Sequence, residues 1–314
     1  METQVKQSTL SEEKIQATLK GIAANFYQPG RTPLLESPAD YGLAFEKVSF
    51  PALDGLALEG WYIPCEGSDK LIISNHPMGF SRYGMPSHLE PWKSMYAPTG
   101  NDIEVNFLPD YKILHEAGYH VLAYDLRNFG HSAAGNGFTT SGNFEARDVI
   151  GSLRYAKTRP ELRHLTVGLF GRCLGCNSIL FAMQQHPEEF EGVRCLVGPQ
   201  PLSPWHFFGR ELERQGIAER LDDLDWEIKL VTSFNLADLS PLEAAKHVMV
   251  PTLVYQVHDD VMTHPRDVQE IFDNIPVAEK KLFWIQGSTR RWDGYLYFQR
   301  EPAQILDWFA TYMA

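Results

Sequence analysis

A cysteine stands midway between two glycines in the stretch "GRCLG", with Gly171 and Gly175 two residues to either side of Cys173. A thiolate is a strong nucleophile, so the chemistry on offer is attack on an electrophilic carbon, given a route for the proton. Upstream, "LTVGLFG" reads as a short apolar strand; downstream, "CNSILFAMQQ" reads as a helix of small and apolar residues. A strand-to-helix turn this tight has no room for bulk two residues before or after its apex. It pushes the apical side chain out over the strand end, and the N-terminus of the following helix favours negative charge there. Cys176, one turn along, makes a Cys-x-x-Cys with Cys173 and reads as a packing residue. No second cysteine pair or His-x-x-x-His follows, so a zinc site is not expected.

The elements needed to position that turn are legible along the chain. "STLSEEKIQATLKGIAANFY" is a capped amphipathic helix, an N-terminal extension over residues 1–44. "FEKVSFPALDGLALEGWYIP" alternates about Asp54-Gly55 and reads as a hairpin. "KLIISNH" is a buried strand leading into the loop "HPMGFSRYG". From "LPDYKILHEAG" onward, helix and strand alternate: "HVLAYD", "NFEARDVIGSLRYAKTR", "LTVGLFG", "CNSILFAMQQ" and "VRCLVGPQP". Residues 202–250 are helical in character and carry no strand signal, which reads as an insertion capping the working loops. "PTLVYQVHDD", "HPRDVQEIFDNI", "KKLFWIQG" and "EPAQILDWFATYM" complete the core of residues 45–201 and 251–314. The pattern predicts an α/β fold with a mostly parallel sheet and helices on both faces, its active loops at the carboxyl ends of the strands.

Composition narrows the setting. The 314 residues are 44% hydrophobic and 12% aromatic, enough for a large core. A net charge of −12 speaks against nucleic acid, whose phosphates need clustered Lys and Arg. Four scattered cysteines build no disulfide framework, the N-terminus has no apolar signal core, and no apolar run reaches a span of ~18 residues. The expectation is a cytoplasmic protein acting on a small molecule, with no membrane or nucleic-acid partner, and with the N-terminal extension as a possible homodimer contact.

Gly-x-Cys-x-Gly between strand and helix resembles the nucleophile elbow of the α/β-hydrolase superfamily. "NHPMG" resembles that family's oxyanion loop, "YDLRNFGHS" its Asp-x-Arg-Gly-x-Gly-x-Ser turn with Asn128 in place of Gly, and "VPTLVYQVHDDVMTHP" the strand and turn carrying its acid. The resemblance runs in order from about Phe45 to the C-terminus, and cysteine at the elbow is similar to the dienelactone hydrolases. It implies an α/β-hydrolase fold and hydrolysis or acyl transfer at an ester, thioester or lactone. Cys173 would attack, the backbone of Leu174 and of the His76, Pro77, Met78 and Gly79 loop would hold the oxyanion, and Asp260 would be the acid. No metal or organic cofactor is implied.

The family's general-base histidine, which follows the last strand, has no counterpart: the chain there reads "FWIQGSTRRWDGYLYF", and no histidine follows His264. Arginine stays charged and cannot take the proton. His76 is the first candidate to stand in, His131 the second, and His258 and His264 flank the acid turn. Alternatively, the thiolate is formed without a base, or the fold binds a ligand silently or serves a lyase or cyclase. Arg172, beside the nucleophile, could reach a substrate carboxylate or a surface acid. Arg290 and Arg291 could clamp an anionic substrate or pair with Asp260. Trp205, Phe207, Phe208, Trp226 and Phe234 could line a pocket or anchor the cap.

Overall fold

The computed structural model describes residues 10–27 and 30–314. Eight strands make the main sheet: β1 (Glu46–Pro51), β2 (Ala57–Ile63), β3 (Lys70–Asn75), β4 (His120–Tyr124), β5 (Thr166–Gly171), β6 (Val193–Pro199), β7 (Thr252–Val257) and β8 (Lys280–Ile285). The principal helices are α1 (Glu12–Tyr27), α2 (Leu108–Glu116), α3 (Ala146–Thr158), α4 (Leu174–Gln185), α5 (Pro204–Arg214), α6 (Leu221–Thr232), α7 (Pro265–Asn274) and α8 (Ala303–Tyr312).

Across the sheet the order is β1-β2-β4-β3-β5-β6-β7-β8. The first two strands form the expected hairpin, closed where the Ala52 N–H donates to Leu56, with Gly55 at φ 84°. β2 also runs antiparallel to β4, and every pairing from β4 through β3 to β8 is parallel. β3 is apolar on both faces because both are covered. On one face Ile150, Leu153, Ile179 and Ile271 of α3, α4 and α7 pack against the strands. On the other, Leu108, Tyr111 and Leu114 of α2 and Ile305 and Phe309 of α8 do the same. Each such fully buried side chain contributes roughly 1.5–3 kcal/mol.

The insertion between β6 and β7 supplies α5 and α6. Their apolar residues Phe208, Leu212, Leu224 and Ile228 meet Ile15, Leu19 and Ala23, which recur every four residues on one stripe of α1. Both carboxylate oxygens of Glu12 accept from Arg220, each at 2.8 Å. The N-terminal helix is therefore part of the cap's own apolar layer. Among the described residues, no helix is long and apolar enough to cross a membrane.

Two stretches depart from the sequence reading. The region after the last strand, where the sequence signals no element, contains a short helix, Arg291–Tyr295, that is buried throughout. Trp292 and Tyr295 supply apolar surface for burial that charge patterning alone does not reveal. Between β3 and α2, Gly84–Met85 pairs with Val105–Asn106, and a one-turn helix, Trp92–Tyr96, bulges between them. Its shortness leaves no periodicity to read.

Candidate active site

β5 ends at Gly171 and α4 begins at Leu174, which leaves Cys173 at the apex with φ 49° and ψ −110°. Such a backbone conformation costs a non-glycine residue roughly 1–3 kcal/mol and persists only where the surroundings impose it. Here the Cys173 N–H donates to Pro199 at 2.9 Å, and the Gly175 N–H donates to Arg172 at 2.8 Å. The flanking glycines are needed for space. A Cβ on Gly171 would lie 2.5 Å from Ile179, and one on Gly175 would lie 2.5 Å from the Asn75 side chain.

Cys173 and Leu174 form the floor of a cavity of about 400 Å³. Phe80, Tyr96, Met262 and Trp292 wall it, and Ile22 of α1 with Pro204, Phe207 and Phe208 of α5 roofs it. Leu174 is the first residue of α4, so its N–H has no intrahelical acceptor and is free for a developing oxyanion. Met78 and Gly79 of the oxyanion loop also line the cavity. Pro77 has no N–H; its carbonyl instead accepts from Phe80 at 3.3 Å and from His76 at 2.7 Å. Within the loop, Met78 and Gly79 carry N–H groups and line the cavity, whereas Pro77 has none to offer.

Where the family's histidine would stand, the cavity holds Arg291 and Tyr295. Arg291 donates from Nη1 to Asp260 at 2.7 Å, from Nη2 to the Gln200 carbonyl at 2.6 Å and from Nε to the Tyr295 hydroxyl at 2.9 Å. Asp260 is itself fixed by Gln256 Nε2 at 2.9 Å, Thr263 Oγ1 at 3.0 Å and the Met262 N–H at 2.9 Å. Burial works against the Arg291 charge, yet Tyr295, Asp260 and Cys173 hold its pKa well above the ordinary value. Burial also drives Tyr295 well above the usual phenol range; Arg291 opposes that rise and the neighbouring Cys173 adds to it. The Tyr295 oxygen accepts from Arg291, and Tyr295 lines the cavity together with Cys173.

None of the histidines among the described residues lines this cavity. His76 is buried with both ring nitrogens occupied: Nδ1 donates to Pro77, and Nε2 accepts from the Leu126 N–H at 2.9 Å. Burial pushes its pKa down, so it is a neutral brace between the oxyanion loop and the turn after β4. His131 is exposed and contributes its backbone N–H to Asp125. His258 pairs with Asp259 and His264 with Glu213, both toward solvent. None of the four has a ring nitrogen placed to serve the sulfur.

The other arginines separate cleanly. Arg172 is fully buried, pairs with Asp110 at 2.6 Å and lies between the rings of Phe107 and Phe170, so it reaches neither a substrate nor the surface. Arg290 pairs with Asp293 at 3.1 Å and is half-exposed outside the cavity. Arg291 does line it, but each of its nitrogens already has a partner, so no fork is left to clamp a carboxylate. Among the cap aromatics, Phe207 and Phe208 line the cavity, Trp205 and Trp226 are exposed, and Phe234 packs edge-on against Phe144. Asn128, standing where the family has glycine, adopts φ 71°, a left-handed conformation that asparagine tolerates best after glycine. Tyr295, Gln200, Tyr96 and Trp292 are site residues that the sequence reading passes over. The four-residue spacing of Arg291 and Tyr295, which puts both on one helical face, was the available signal.

The profile of the alpha/beta hydrolase fold family matches residues 105–307, and the chain belongs to that family. Among solved structures it is similar to an esterase of Pyrococcus furiosus, 19% identical, with a TM-score of 0.67 over 91% of this chain and 98% of that one. It is also similar to a dienelactone hydrolase of Anabaena variabilis, 18% identical, with a TM-score of 0.54 over 87% and 99% of the respective chains. In sequence it is 23% identical over 283 residues to the uncharacterized protein YfhR of Salmonella typhi, covering 86% of this chain and 82% of that protein. At these identities the solved structures speak to the fold alone. Among the described residues, no cluster of three or more His, Cys, Asp or Glu side chains is placed to hold a metal ion.

Proposed function

We propose that the chain is a hydrolase or acyltransferase that opens an ester, thioester or lactone carbonyl through Cys173. The observation that carries this reading is the strained apex of Cys173 on the floor of a mostly apolar cavity, beside a phenol and a guanidinium. The Leu174 N–H and the Met78 and Gly79 N–H groups receive the oxyanion, and Asp260 holds Arg291 in register. The esterase and dienelactone hydrolase among the similar structures support an ester-type carbonyl. With Arg291 fully engaged, a mostly apolar lining and Glu211 as the lining's one carboxylate among the described residues, the acyl group suited to the cavity is uncharged.

The test is incubation with nitrophenyl esters of uncharged acids, followed by intact-mass and peptide measurement. The expected result is release of nitrophenol with an acyl adduct on Cys173, and neither with Cys173→Ala. Protein that releases no nitrophenol and carries no adduct overturns the reading. A histidine-free cavity favours one alternative, a silent ligand-binding fold. That alternative gives saturable binding of an apolar ligand with no release.

A further inference from the structure

Asp260, Arg291 and Tyr295 form a continuous hydrogen-bonded chain, and Arg291, Tyr295 and Cys173 line the same cavity. We infer that Tyr295, polarised by Arg291, is the catalytic proton-transfer residue in place of the histidine. This inference rests on the cysteine nucleophile proposed above.

The steps balance as follows. The Cys173 thiolate forms a C–S bond to the acyl carbon, and the carbonyl electron pair moves to oxygen. As that oxyanion collapses, the C–O bond to the leaving group breaks, and the alkoxide takes the phenolic proton of Tyr295. The products are an alcohol, a thioester on Cys173 and a Tyr295 phenolate facing Arg291. Water then attacks the thioester while the phenolate removes its proton. Collapse breaks the C–S bond, which releases the carboxylic acid and restores thiolate and phenol.

Two physical features suit Tyr295 to this work. First, the Arg291 Nε–H fixes the Tyr295 oxygen at 2.9 Å, and Tyr295 lines the cavity with Cys173, so the phenol stands at the space the acyl group enters. Second, Cys173 is one of the groups that oppose ionisation of Tyr295. Acylation removes the charge from sulfur, so the negative charge moves from sulfur to phenolate while Arg291 stays positive beside both. Arg291 is the positioning residue: Asp260 and Gln200 orient it, and its Nε–H aims at the phenol oxygen.

The experiment uses the full chain with Tyr295→Phe and with difluorotyrosine at the same position, which lowers the phenol pKa without changing the fold. Nitrophenolate leaves without a proton, so Tyr295→Phe should still give a stoichiometric nitrophenol burst and an adduct on Cys173. Steady-state turnover should fall by about two orders of magnitude or more, and hydroxylamine, which attacks thioesters unaided, should restore it. With difluorotyrosine, the alkaline limb of the alkyl-ester pH profile should move to lower pH. Wild-type turnover in Tyr295→Phe, loss of its burst, or an unmoved alkaline limb would each overturn the relay. Those results leave the nucleophile standing, because the wild-type adduct is read separately. Absence of any adduct in the wild type removes the nucleophile and the relay together.

Discussion

The Arg291 Nε–H donates to the Tyr295 hydroxyl at 2.9 Å, one helical turn further along the chain. A cation that can never act as a base is thereby coupled to a phenol that can give and regain a proton. The position after the last strand is thus filled by a pair of residues dividing what a single imidazole ordinarily does: one holds charge, the other handles the proton.

That division predicts a one-way outcome at the nucleophile. Cys173→Ser places at the elbow a hydroxyl that ionises far less readily than a thiol, with no histidine to deprotonate it. Turnover of nitrophenyl esters should fall by about two orders of magnitude or more, and no acyl-serine should accumulate. Steady-state kinetics with mass spectrometry checks both.

Asp260 is the counter-ion of a fully buried guanidinium. Asp260→Asn leaves that charge uncompensated and should destabilise the fold by about 3–5 kcal/mol in urea unfolding. Asp259→Asn breaks only an exposed contact with His258 and should stay within about 0.5 kcal/mol.

Asp267 gives a signed pH dependence. Its carboxylate accepts the Ser203 N–H at 2.9 Å, and burial pushes its pKa from 3.8 up to about 8. Between those values the folded protein keeps a proton that the unfolded chain has released, so stability falls as pH rises through that window and levels off above it. Asp267→Asn should flatten this part of the urea-midpoint profile. Asp148 and Asp110, also raised by burial, contribute to both proteins and drop out of the difference.

Ile22 tests the roof. Ile22→Trp narrows the cavity from the α1 side and should lower kcat/KM for bulky acyl esters by about tenfold. Acetyl esters, which need less of the space, should be turned over as before. Equal loss on both would show that α1 does not shape the acyl site.

Most of the fold was legible because it is written in local pattern. The strand–elbow–helix over 166–185, the Asp54-Gly55 hairpin and the helical insertion after β6 each carry their own periodicity or turn residues. Chain order led to Asp260, which meets Arg291, and to Leu174 and the loop after β3, which line the cavity with Cys173. What the sequence could not disclose is which long-range partner each polar group meets. His76 has the right address for a base, yet Pro77 and the Leu126 N–H take both of its nitrogens. Arg172 sits beside Cys173 in the chain but turns away to a buried pairing with Asp110. That Arg291 and Tyr295 are buried does not show in the sequence, because their burial depends on β7, on Gln200 and on the loop around Asn101, whose side chain accepts the Trp292 N–H.

The docking of α1 on the cap also has a temporal meaning. The Glu12–Arg220 contact spans 208 positions, so this helix reaches its place only after a long loop has closed. Segments tied down by few distant anchors open locally at a lower free energy than the whole domain unfolds. Because Ile22 belongs both to α1 and to the cavity roof, each such opening removes the α1 part of that roof and leaves Pro204, Phe207 and Phe208 of α5 in place. The exchange rates of the α1 amides are therefore a clock for how often that side of the cavity widens.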